Sequence, residues 1–558
     1  MSNMKIIIST LLLTLMPIAT QAQEDKSHNL EVAKNLELFN EIYRRLDLMY
    51  VDTLEASDVI GFGIDAMLSS LDPYTEYYPE SKSDDLKMLL TGKYAGIGAL
   101  IRHHQRLDKI VIEEPYAGMP SAEVGLMKGD IIISIDDSLM TGKTVSYVSE
   151  HLRGEAGTTF SLVIERPSTG KTMTFKITRR NIKLPDIPYY GMLPDSIGYI
   201  NFTSFTEGSA KNMRRTFLDL KKQGAQKLIL DLRGNGGGSL QEAIDIISMW
   251  VPKDIVIVET KGKMEQACRE YKTKLEPLDT IMPIVVMVGN ETASASEITS
   301  GSIQDLDRGV IIGTRTYGKG LVQAPIELSY NSTLKLTTSK YYIPSGRCIQ
   351  AVNYNHKGGG YTEHIPDSLT NVFHTLGGRE VRDGGGIEPD LEVLPDTMPN
   401  IAIYLDRMDS TEVMFDYITE YIATHPTIAP ASEFRLSDEE FEDFKQRVID
   451  SGFSYDPMSK KTFDELVKIA KFEGYYDDAK KEFDNLAVRL QHDVGRDIEK
   501  EKTTLKQILE ADITSAYYFQ AGAIENGLFY DNQLKEAIKL LKNMDEYYRL
   551  LSSTGDIK

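Results

Sequence analysis

Cysteine is nearly absent from this 558-residue sequence, which contains only Cys268 and Cys348. Two cysteines support neither a disulfide framework nor a cysteine-based zinc site, although a single bridge between them is compatible with the sequence. The nine histidines include no H-E-x-x-H motif or other spacing typical of metal ligands. We therefore predict no metal site and no cofactor.

Positive charge is also in short supply. The chain has 62 Lys and Arg residues against 83 Asp and Glu residues, which gives a net charge of -21 at pH 7. Because nucleic-acid-binding proteins usually present a basic face, this balance argues against nucleic acid as a partner. The length exceeds what one hydrophobic core usually organises, so about two to four domains are expected.

Long apolar runs are missing after the first residues. The apolar run 6–18 follows Lys5 and precedes small residues around Ala22, which is the architecture of a secretory signal peptide. The run is short for a membrane span, and no later stretch has 18 uninterrupted apolar residues. We predict a signal peptide over 1–22, no integral membrane segment after its removal, and a periplasmic or secreted protein. A retained membrane anchor is the alternative.

The pattern along the rest of the chain divides it into four regions. Apolar and charged residues first alternate at helical spacing, then short β-rich runs are separated by Gly and Pro turns, then strands and helices interleave, and a helix-patterned acidic region follows. The predicted boundaries are 27–90 for the N-terminal helical region, 91–180 for the β-rich domain, 181–395 for the α/β core with a surface insertion at 351–386, and 396–558 for a helical accessory domain.

A glycine-rich loop, Asp231 to Gly238, follows an apolar strand and precedes a helical stretch. Its glycines nearly match the dinucleotide-binding fingerprint, but Ser239 stands where the third Gly should be. A tight turn is the simpler interpretation. In either case the loop offers bare backbone N–H groups that an oxygen can approach closely.

A serine-rich loop, Thr292 to Glu297, lies where another apolar strand gives way to a helix. The N-terminus of a helix favours negative charge, so Ser294 is well placed as an attacking oxygen. The structural alternative is that Ser294 or Ser296 only caps the helix.

A serine nucleophile needs a base, and no His lies near these strand ends. Lysine is a known alternative to histidine, provided that its amine is neutral and its pKa falls below the usual value of about 10.4. Lys319 follows an apolar strand, and no acidic residue occurs from Arg308 to Pro325. Burial without a carboxylate partner lowers the pKa of a lysine, so Lys319 is the candidate base.

Lys319 also ends the pattern G-x-x-x-x-G-K, which opens a phosphate-binding loop. The following residue is Gly320, so the hydroxyl that should hold magnesium is missing, and Pro325 comes too soon for the long helix that such a loop requires. No second acidic strand motif accompanies it. We therefore predict no nucleotide.

The ordered motifs from Leu71 to Val393 resemble the carboxyl-terminal processing peptidases, also called tail-specific proteases. These are secreted or periplasmic serine endopeptidases with an embedded PDZ domain. The similar segments are LDPYT (71–75), GIG (96–98), PSA with GLMKGD (120–130), DLRGNGG (231–237), ASASEI (293–298), YGKGLVQ (317–323), YYIPSGR (341–347) and GIEPD (386–390).

The resemblance implies a ClpP/crotonase-like α/β protease core with an inserted PDZ domain, flanked by N- and C-terminal helical regions. It also implies a Ser-Lys catalytic dyad. Its residues would be Ser294 as nucleophile and Lys319 as general base, with Gln323 orienting the lysine. The oxyanion hole would use the backbone N–H groups of Ala295 and of Gly236 or Gly237.

The PDZ resemblance implies a substrate class. In such a domain a free chain end adds as a strand, and its carboxylate binds in a nest of backbone N–H groups. Here the nest would be Gly96, Ile97, Gly98 and Ala99. The groove could instead bind an internal segment or part of this same chain, and the whole protein could be a non-catalytic peptide-binding scaffold. Contacts through 396–558 to an adaptor or to a second copy are a further expectation.

Overall fold

The computed structural model describes residues 28–83, 93–351, 366–408, 410–455, 458–490 and 493–552. The predicted signal peptide lies outside these ranges. They form two compact units: the first is the chain up to Tyr77 together with Leu334–Leu336, and the second is the remainder. No helix in the described ranges has the length and apolar character needed to cross a membrane.

The first unit is helical, as predicted. Helix 28–49 is followed by helix Ala56–Ser69. The carboxylate of Asp72 then accepts hydrogen bonds from the N–H groups of Tyr74 at 2.8 Å and Thr75 at 2.7 Å. This turn accounts for the LDPYT segment, because Asp side chains favour such local bonds to the backbone.

The β-rich domain is built on a six-stranded antiparallel sheet. Alternating side chains such as Ile110, Ile112, Leu162 and Ile164 are fully buried in its core. Helix Val145–Leu152 packs against this core through Val148 and Leu152. The main strands, in spatial order, are Ala99–His104, Lys109–Pro115, Ile131–Ile135, Thr159–Arg166 and Lys171–Thr178, with Ser138–Leu139 beside the third and a separate pair formed by Lys93–Gly96 and Arg180–Lys183.

A second six-stranded sheet forms the centre of the α/β region. Its first two strands are antiparallel, and every further pair is parallel. A parallel sheet needs cover on both faces, which explains why its central strands are apolar throughout. In spatial order the strands are Tyr189–Leu193, Ile197–Asn201, Lys227–Asp231, Ile284–Val288, Val310–Gly313 and Leu391–Glu392.

One face of this sheet is covered by helices from within the α/β region. Leu230 and Val286 of the sheet share a core with Phe217 and Trp250, whose rings meet edge to face at 5.9 Å between centroids. Such an arrangement suits the aromatic quadrupoles. The helices are Ser209–Lys222, Leu240–Ile247 and Ala295–Asp305.

The opposite face is covered by the last two helices of the described chain. Leu541 packs with Val285 in the core of this face. The Tyr547 hydroxyl donates to the carbonyl of Ile284 at 3.1 Å and accepts from its N–H at 3.0 Å. The accessory domain 396–558 stays a prediction, and the last two helices within it also cover the α/β core, because the parallel sheet needs a second layer. These helices are Asn532–Lys542 and Met544–Leu550.

The rest of the C-terminal region is a separate helical bundle. Phe441, Phe444, Ile418 and Leu509 are buried in its core. The bundle includes an S-x-x-E capping box, in which the Ser437 N–H donates to the carboxylate of Glu440 and the Glu440 N–H donates to Ser437 Oγ at 3.2 Å. Its helices are Asn400–Ile403, Val413–Thr424, Asp438–Asp450, Met458–Glu473, Lys480–Arg489, Val494–Lys500 and Lys502–Gly527.

The segment 366–386 packs on the α/β core. Within this segment, the guanidinium group of Arg379 bonds Asp307 at 2.7 Å and Asp390 at 2.5 Å. The Leu376 N–H donates to the carbonyl of Asp305. The predicted surface insertion 351–386 is thus anchored by ion pairs over its described part; residues 352–365 lie outside the described ranges. Strands Val372–His374 and Glu380–Arg382 form its hairpin.

A smaller antiparallel sheet lies beside the core. Strand Thr333–Tyr342 pairs with Val256–Gly262 and with Leu321–Glu327, and Val256–Gly262 also pairs with Arg269–Lys272. Cys268 and Cys348 are both free thiols, so the bridge that the sequence allowed is not formed.

We expect Leu541→Ala to lower the free energy of unfolding by about 2–5 kcal/mol, because it opens a cavity between helix and sheet. The control is Leu486→Ala on an exposed helix surface, with an expected loss below about 1 kcal/mol. Urea unfolding followed by the fluorescence of Trp250, the single tryptophan, measures both. Equal losses would mean that the last helices are not part of the core.

Candidate active site

Three loops meet at one edge of the parallel sheet. Asp231 pairs with Met287 and Val288 pairs with Gly313, so three neighbouring strands end at similar height. The carboxyl ends of parallel strands lie side by side at such an edge, where α/β proteins bind ligands. The loops that follow carry the glycine turn, the predicted nucleophile and the predicted base. The sheet therefore brings all three segments together.

Ser294 occupies the N-cap position of helix Ala295–Asp305, as the helix-cap alternative requires. Its backbone angles are φ 57° and ψ -116°, a region that residues other than glycine seldom adopt and that costs roughly 1–3 kcal/mol. Hydrolases hold a serine nucleophile on a similarly strained strand-to-helix turn. Ser294 is only partly buried, whereas Ser296 is fully buried and donates its hydroxyl to the carbonyl of Asn235 at 2.9 Å. The geometry thus distinguishes the two serines.

One buried carboxylate, that of Glu297, joins the serine loop to the lysine loop. Its Oε2 accepts hydrogen bonds from the N–H groups of Ser294 at 2.8 Å and Lys319 at 2.9 Å. Its Oε1 accepts from the Gly318 N–H at 2.7 Å and from the Thr316 hydroxyl at 2.5 Å. Bonds to an ionised group are roughly twice as strong as neutral ones. Glu297 therefore fixes the backbones of Ser294 and Lys319 relative to each other.

Complete burial raises the pKa of Glu297 to about 7, against the opposing effect of the hydrogen bonds from Thr316 and the three backbone N–H groups. An ionised carboxylate only accepts hydrogen bonds, so it matches four converging donors. A protonated acid would direct an O–H toward those donors. The observed arrangement therefore belongs to the ionised form.

The glycine loop approaches the serine from the neighbouring strand end. The Gly237 N–H donates to Asn235 Oδ1 at 2.9 Å, whereas the N–H groups of Gly236 and Ala295 make no hydrogen bond within the described residues. Gly237 has φ +98°, and a Cβ there would lie 2.9 Å from the Ala295 nitrogen and 2.9 Å from the Ser294 Cβ. Gly237 thus allows close approach, and Gly236 keeps an N–H available.

Lys319 is partly buried in the loop after the next strand. The Tyr341 hydroxyl donates to its carbonyl and also to the carbonyl of Ser294 at 3.3 Å, so the two loops are joined a second time. Gln323 donates from Nε2 to the Thr337 hydroxyl at 3.1 Å. Its predicted role in orienting Lys319 stays a prediction.

Arg233 connects the glycine loop to the C-terminal helices. Its guanidinium group bonds Asp231 Oδ1 at 2.9 Å, Asp531 Oδ2 at 2.5 Å and Gln533 Oε1 at 2.9 Å. Burial opposes its charge, but the two carboxylates more than compensate and raise the pKa of Arg233. The start of the glycine loop is thereby bonded both to its own strand, through Asp231, and to the C-terminal helices, through Asp531 and Gln533.

The predicted carboxylate nest lies in the β-rich domain. The carbonyl of Gly98 accepts from the Tyr116 N–H at 2.9 Å and from the Ser121 hydroxyl at 2.5 Å, and the carbonyl of Ile97 accepts from the Ser121 N–H. The N–H groups of Ile97 and Gly98 make no hydrogen bond with any described residue. Gly98 has φ +70°, which a nest requires, and Gly96 and Ala99 flank the turn at the ends of two strands.

Sequence reasoning assigned no role to Glu297, Thr316, Tyr341 or Asn235. Glu297 had a readable signal, because Ser294 and Glu297 form the S-x-x-E pattern of a capping box. Asn235 and Tyr341 lie within the DLRGNGG and YYIPSGR segments, which did not indicate their individual roles, and Thr316 lies just before YGKGLVQ. In the described ranges no group of three or more His, Cys, Asp or Glu side chains is arranged to hold a metal ion.

Comparison with known proteins assigns the chain to a family. The model of peptidase family S41 matches residues 196–357, and that of the PDZ domain matches 111–166. A carboxy-terminal-processing protease of Bartonella bacilliformis is 34% identical over 353 residues, which are 62% of this chain and 80% of that protein. The chain belongs to peptidase family S41. It is therefore a serine-type peptidase that contains a PDZ domain.

Other known proteins match the same chain over the protease region and over the C-terminal region. A carboxyl-terminal-processing protease of Synechocystis sp. is 34% identical over 287 residues, 50% of this chain and 66% of that protein. A model described as the C-terminal helical domain of a probable PDZ-protease matches residues 404–541. The solved structure of a photosystem II D1 C-terminal processing protease has 26% identity and a TM-score of 0.36, covering 64% of this chain and 87% of that one. The matches to the S41, PDZ and C-terminal helical models confirm the predicted family, and they agree with the α/β core, β-rich domain and helical regions of the structure.

Two neighbouring glycines provide a matched test of the site. We expect Gly237→Ala to lower kcat/KM roughly 100-fold or more, because its Cβ would displace Ser294 and the Ala295 N–H. Gly236→Ala keeps the N–H, and its Cβ meets nothing within 4 Å, so activity should change only a few-fold. Cleavage rates of an unfolded polypeptide measure both. If both variants cut at similar rates, the close contact of residue 237 with Ser294 and Ala295 would not explain any loss of activity.

The raised pKa of Glu297 predicts a pH dependence of stability. The folded state holds the proton of Glu297 more tightly than an unfolded chain, in which the pKa is 4.5. The contribution of this proton to the free energy of unfolding is therefore fully present below pH 4.5 and is lost as the pH rises through about 7. The melting temperature of the wild type minus that of Glu297→Gln should therefore fall between pH 5 and pH 8. Calorimetry at both pH values tests this, and a constant difference would contradict it.

Proposed function

We propose that the chain is an endopeptidase in which Ser294 is the nucleophile and Lys319 the general base, and that it processes the C-terminal tails of polypeptides outside the cytoplasm. The observation that carries this proposal is the shared carboxylate of Glu297. It bonds the backbones of a strained serine and of a lysine from two different strand ends. A structural cap would need only the serine.

The chemistry would follow the order of acyl transfer. The neutral amine of Lys319 accepts the hydroxyl proton of Ser294 while the oxygen attacks a peptide carbonyl carbon. The negative oxygen of the tetrahedral intermediate accepts hydrogen bonds from the N–H groups of Ala295 and Gly236. Lys319 then gives the proton to the leaving amine, and water releases the acyl group from the serine. Gln323 would help to orient the lysine.

The substrate class is inferred from the PDZ domain. The N–H groups of Ile97 and Gly98 suit a terminal carboxylate, and the adjoining strand Ala99–His104 suits an added peptide strand. The names of the S41 relatives, carboxy-terminal-processing proteases, support the same substrate class. A periplasmic or secreted location rests on the signal-peptide pattern of residues 1–22.

The proposal predicts the loss of cleavage in Ser294→Ala and Lys319→Ala. We expect each variant to cut labelled, unfolded casein roughly 1,000-fold or more slower than the wild type, because loss of a nucleophile or base has effects of this size in other serine enzymes. The melting temperature should not change. Lys340→Ala, an exposed lysine on the neighbouring strand, is the control and should cut at the wild-type rate.

Two outcomes would contradict the dyad. Normal cleavage by a purified Ser294→Ala or Lys319→Ala variant would exclude that residue. A wild-type protein that binds tail peptides but cuts none would instead support the non-catalytic scaffold.

A further inference from the structure

Tyr341 lies near the end of strand Thr333–Tyr342 and is 1% exposed. Its ring belongs to the core that also contains Ala295 and Ile298 of the helix after Ser294. A side chain that only filled this core could be phenylalanine, which has the same ring. The buried hydroxyl is therefore the part of Tyr341 that points to a further role, because a buried tyrosine O–H usually has a specific partner.

The hydroxyl of Tyr341 bridges two carbonyl oxygens. It donates to the carbonyl of Lys319 and to that of Ser294, the latter at 3.3 Å. The backbone N–H of Tyr341 also donates to the carbonyl of Gly320 at 3.0 Å. Tyr341 thus bonds two consecutive carbonyls of the lysine loop and one carbonyl of the serine loop.

Glu297 makes the complementary contacts to the same two residues. Its Oε2 accepts from the N–H of Ser294 at 2.8 Å and from the N–H of Lys319 at 2.9 Å. One oxygen of Glu297 therefore bridges the two N–H groups, and the one oxygen of Tyr341 bridges the two carbonyl groups. The side chains suit these roles, because an ionised carboxylate only accepts hydrogen bonds whereas a phenol can donate one.

These bonds hold Ser294 and Lys319 at both ends of their backbone units. A residue has two soft backbone dihedrals, φ and ψ. A bond to the N–H alone leaves rotation about φ, and that rotation changes the direction in which Cβ leaves the backbone. A second bond at the carbonyl removes this freedom. The directions of the two side chains are therefore fixed by Glu297 and Tyr341 together.

Direction matters here because the proposed proton transfer joins the ends of two side chains. A general base must lie within about 2.6–3.2 Å of the group that gives up the proton. The Lys319 amine stands at the end of a long, flexible side chain, so a small turn of its Cβ becomes a larger displacement of the amine. A displacement of about 1 Å can lower a rate about 100-fold.

We propose that Tyr341 is a positioning residue of the dyad, whose hydroxyl directs the side chains of Ser294 and Lys319 toward each other. This inference rests on the proposed roles of Ser294 and Lys319. The two bonds of the hydroxyl reach backbone carbonyls and not the serine hydroxyl or the lysine amine. Tyr341 therefore acts through the two backbones and is not itself the group that takes or gives the proton.

The test is Tyr341→Phe in the full chain, which removes one oxygen and keeps the ring. The substrate is a quenched-fluorescence peptide that spans a site at which the wild type cuts casein. We expect kcat to fall roughly ten- to a hundredfold. KM should stay within about threefold of the wild-type value, because the lost bonds involve no substrate.

Tyr342→Phe is the matched control. Tyr342 is the next residue of the same strand, and its ring lies 4.4 Å from the ammonium group of Lys261. It makes the same chemical change one position away from the bridge between the two loops. Both kcat and KM should keep their wild-type values in this variant.

A small fluorophosphonate probe separates positioning from substrate binding. The serine oxygen attacks its phosphorus, fluoride leaves, and the base takes the serine proton, so the reaction requires the dyad but no bound peptide. The rate constant for modification of Ser294 should fall in Tyr341→Phe by about the same factor as kcat. It should not change in Tyr342→Phe.

A double variant tests whether Tyr341 and Glu297 hold one alignment. If both sets of bonds are required, Glu297→Gln already loses the alignment, and adding Tyr341→Phe should lower kcat little further. Losses that multiply would mean that the two residues act independently, and they would overturn the shared role.

The remaining outcomes are also decisive. A wild-type kcat in a folded Tyr341→Phe protein, with or without a lower melting temperature, would show that the hydroxyl is purely structural and would overturn the inference. A loss of kcat without a slower probe reaction would overturn it as well. Failure of the proposed dyad is a different result, because Ser294→Ala or Lys319→Ala would then retain cleavage whatever Tyr341→Phe does.

Discussion

The site depends on one constraint: a buried carboxylate must be surrounded by donors or it is very costly to bury. Glu297 meets this condition only when the loops after two different strands supply their N–H groups together. The carboxylate of Glu297 therefore stabilises the one arrangement of the loops in which all of these donors reach it. The strain in the Ser294 backbone is held by the same bonds, since its N–H is one of the four donors.

The remaining architecture keeps those strand ends in register. The parallel sheet is buried between helices of its own region and the last two helices of the described chain. Arg233 ties the glycine loop to Asp531, and Tyr341 bridges the carbonyls of Ser294 and Lys319. These contacts come from sequence positions far apart, so the site is a property of the whole fold and not of one motif.

The sequence was most informative where local patterns have one physical meaning. Apolar strands followed by glycine or serine turns predicted loops at a common sheet edge, and the missing hydroxyl at Gly320 separated the lysine loop from a phosphate-binding loop. The sequence was silent on which surface an amphipathic helix covers. The apolar pattern around Leu541 would be the same whether the helix packed on a bundle or on a sheet. Only the structure shows that Leu541 faces the sheet. Arg379 likewise gave no sign that it would anchor a Gly-rich segment.

The position of the last helices also bears on the synthesis of the protein. The ribosome makes the segments that carry Ser294 and Lys319 long before it makes Asn532–Lys542. Until that helix emerges, one face of the sheet has no cover and Arg233 lacks Asp531. A nascent chain thus contains the serine and lysine segments of the candidate site before the fold that positions them is complete. The candidate site of this peptidase therefore depends on some of the last residues to be synthesised.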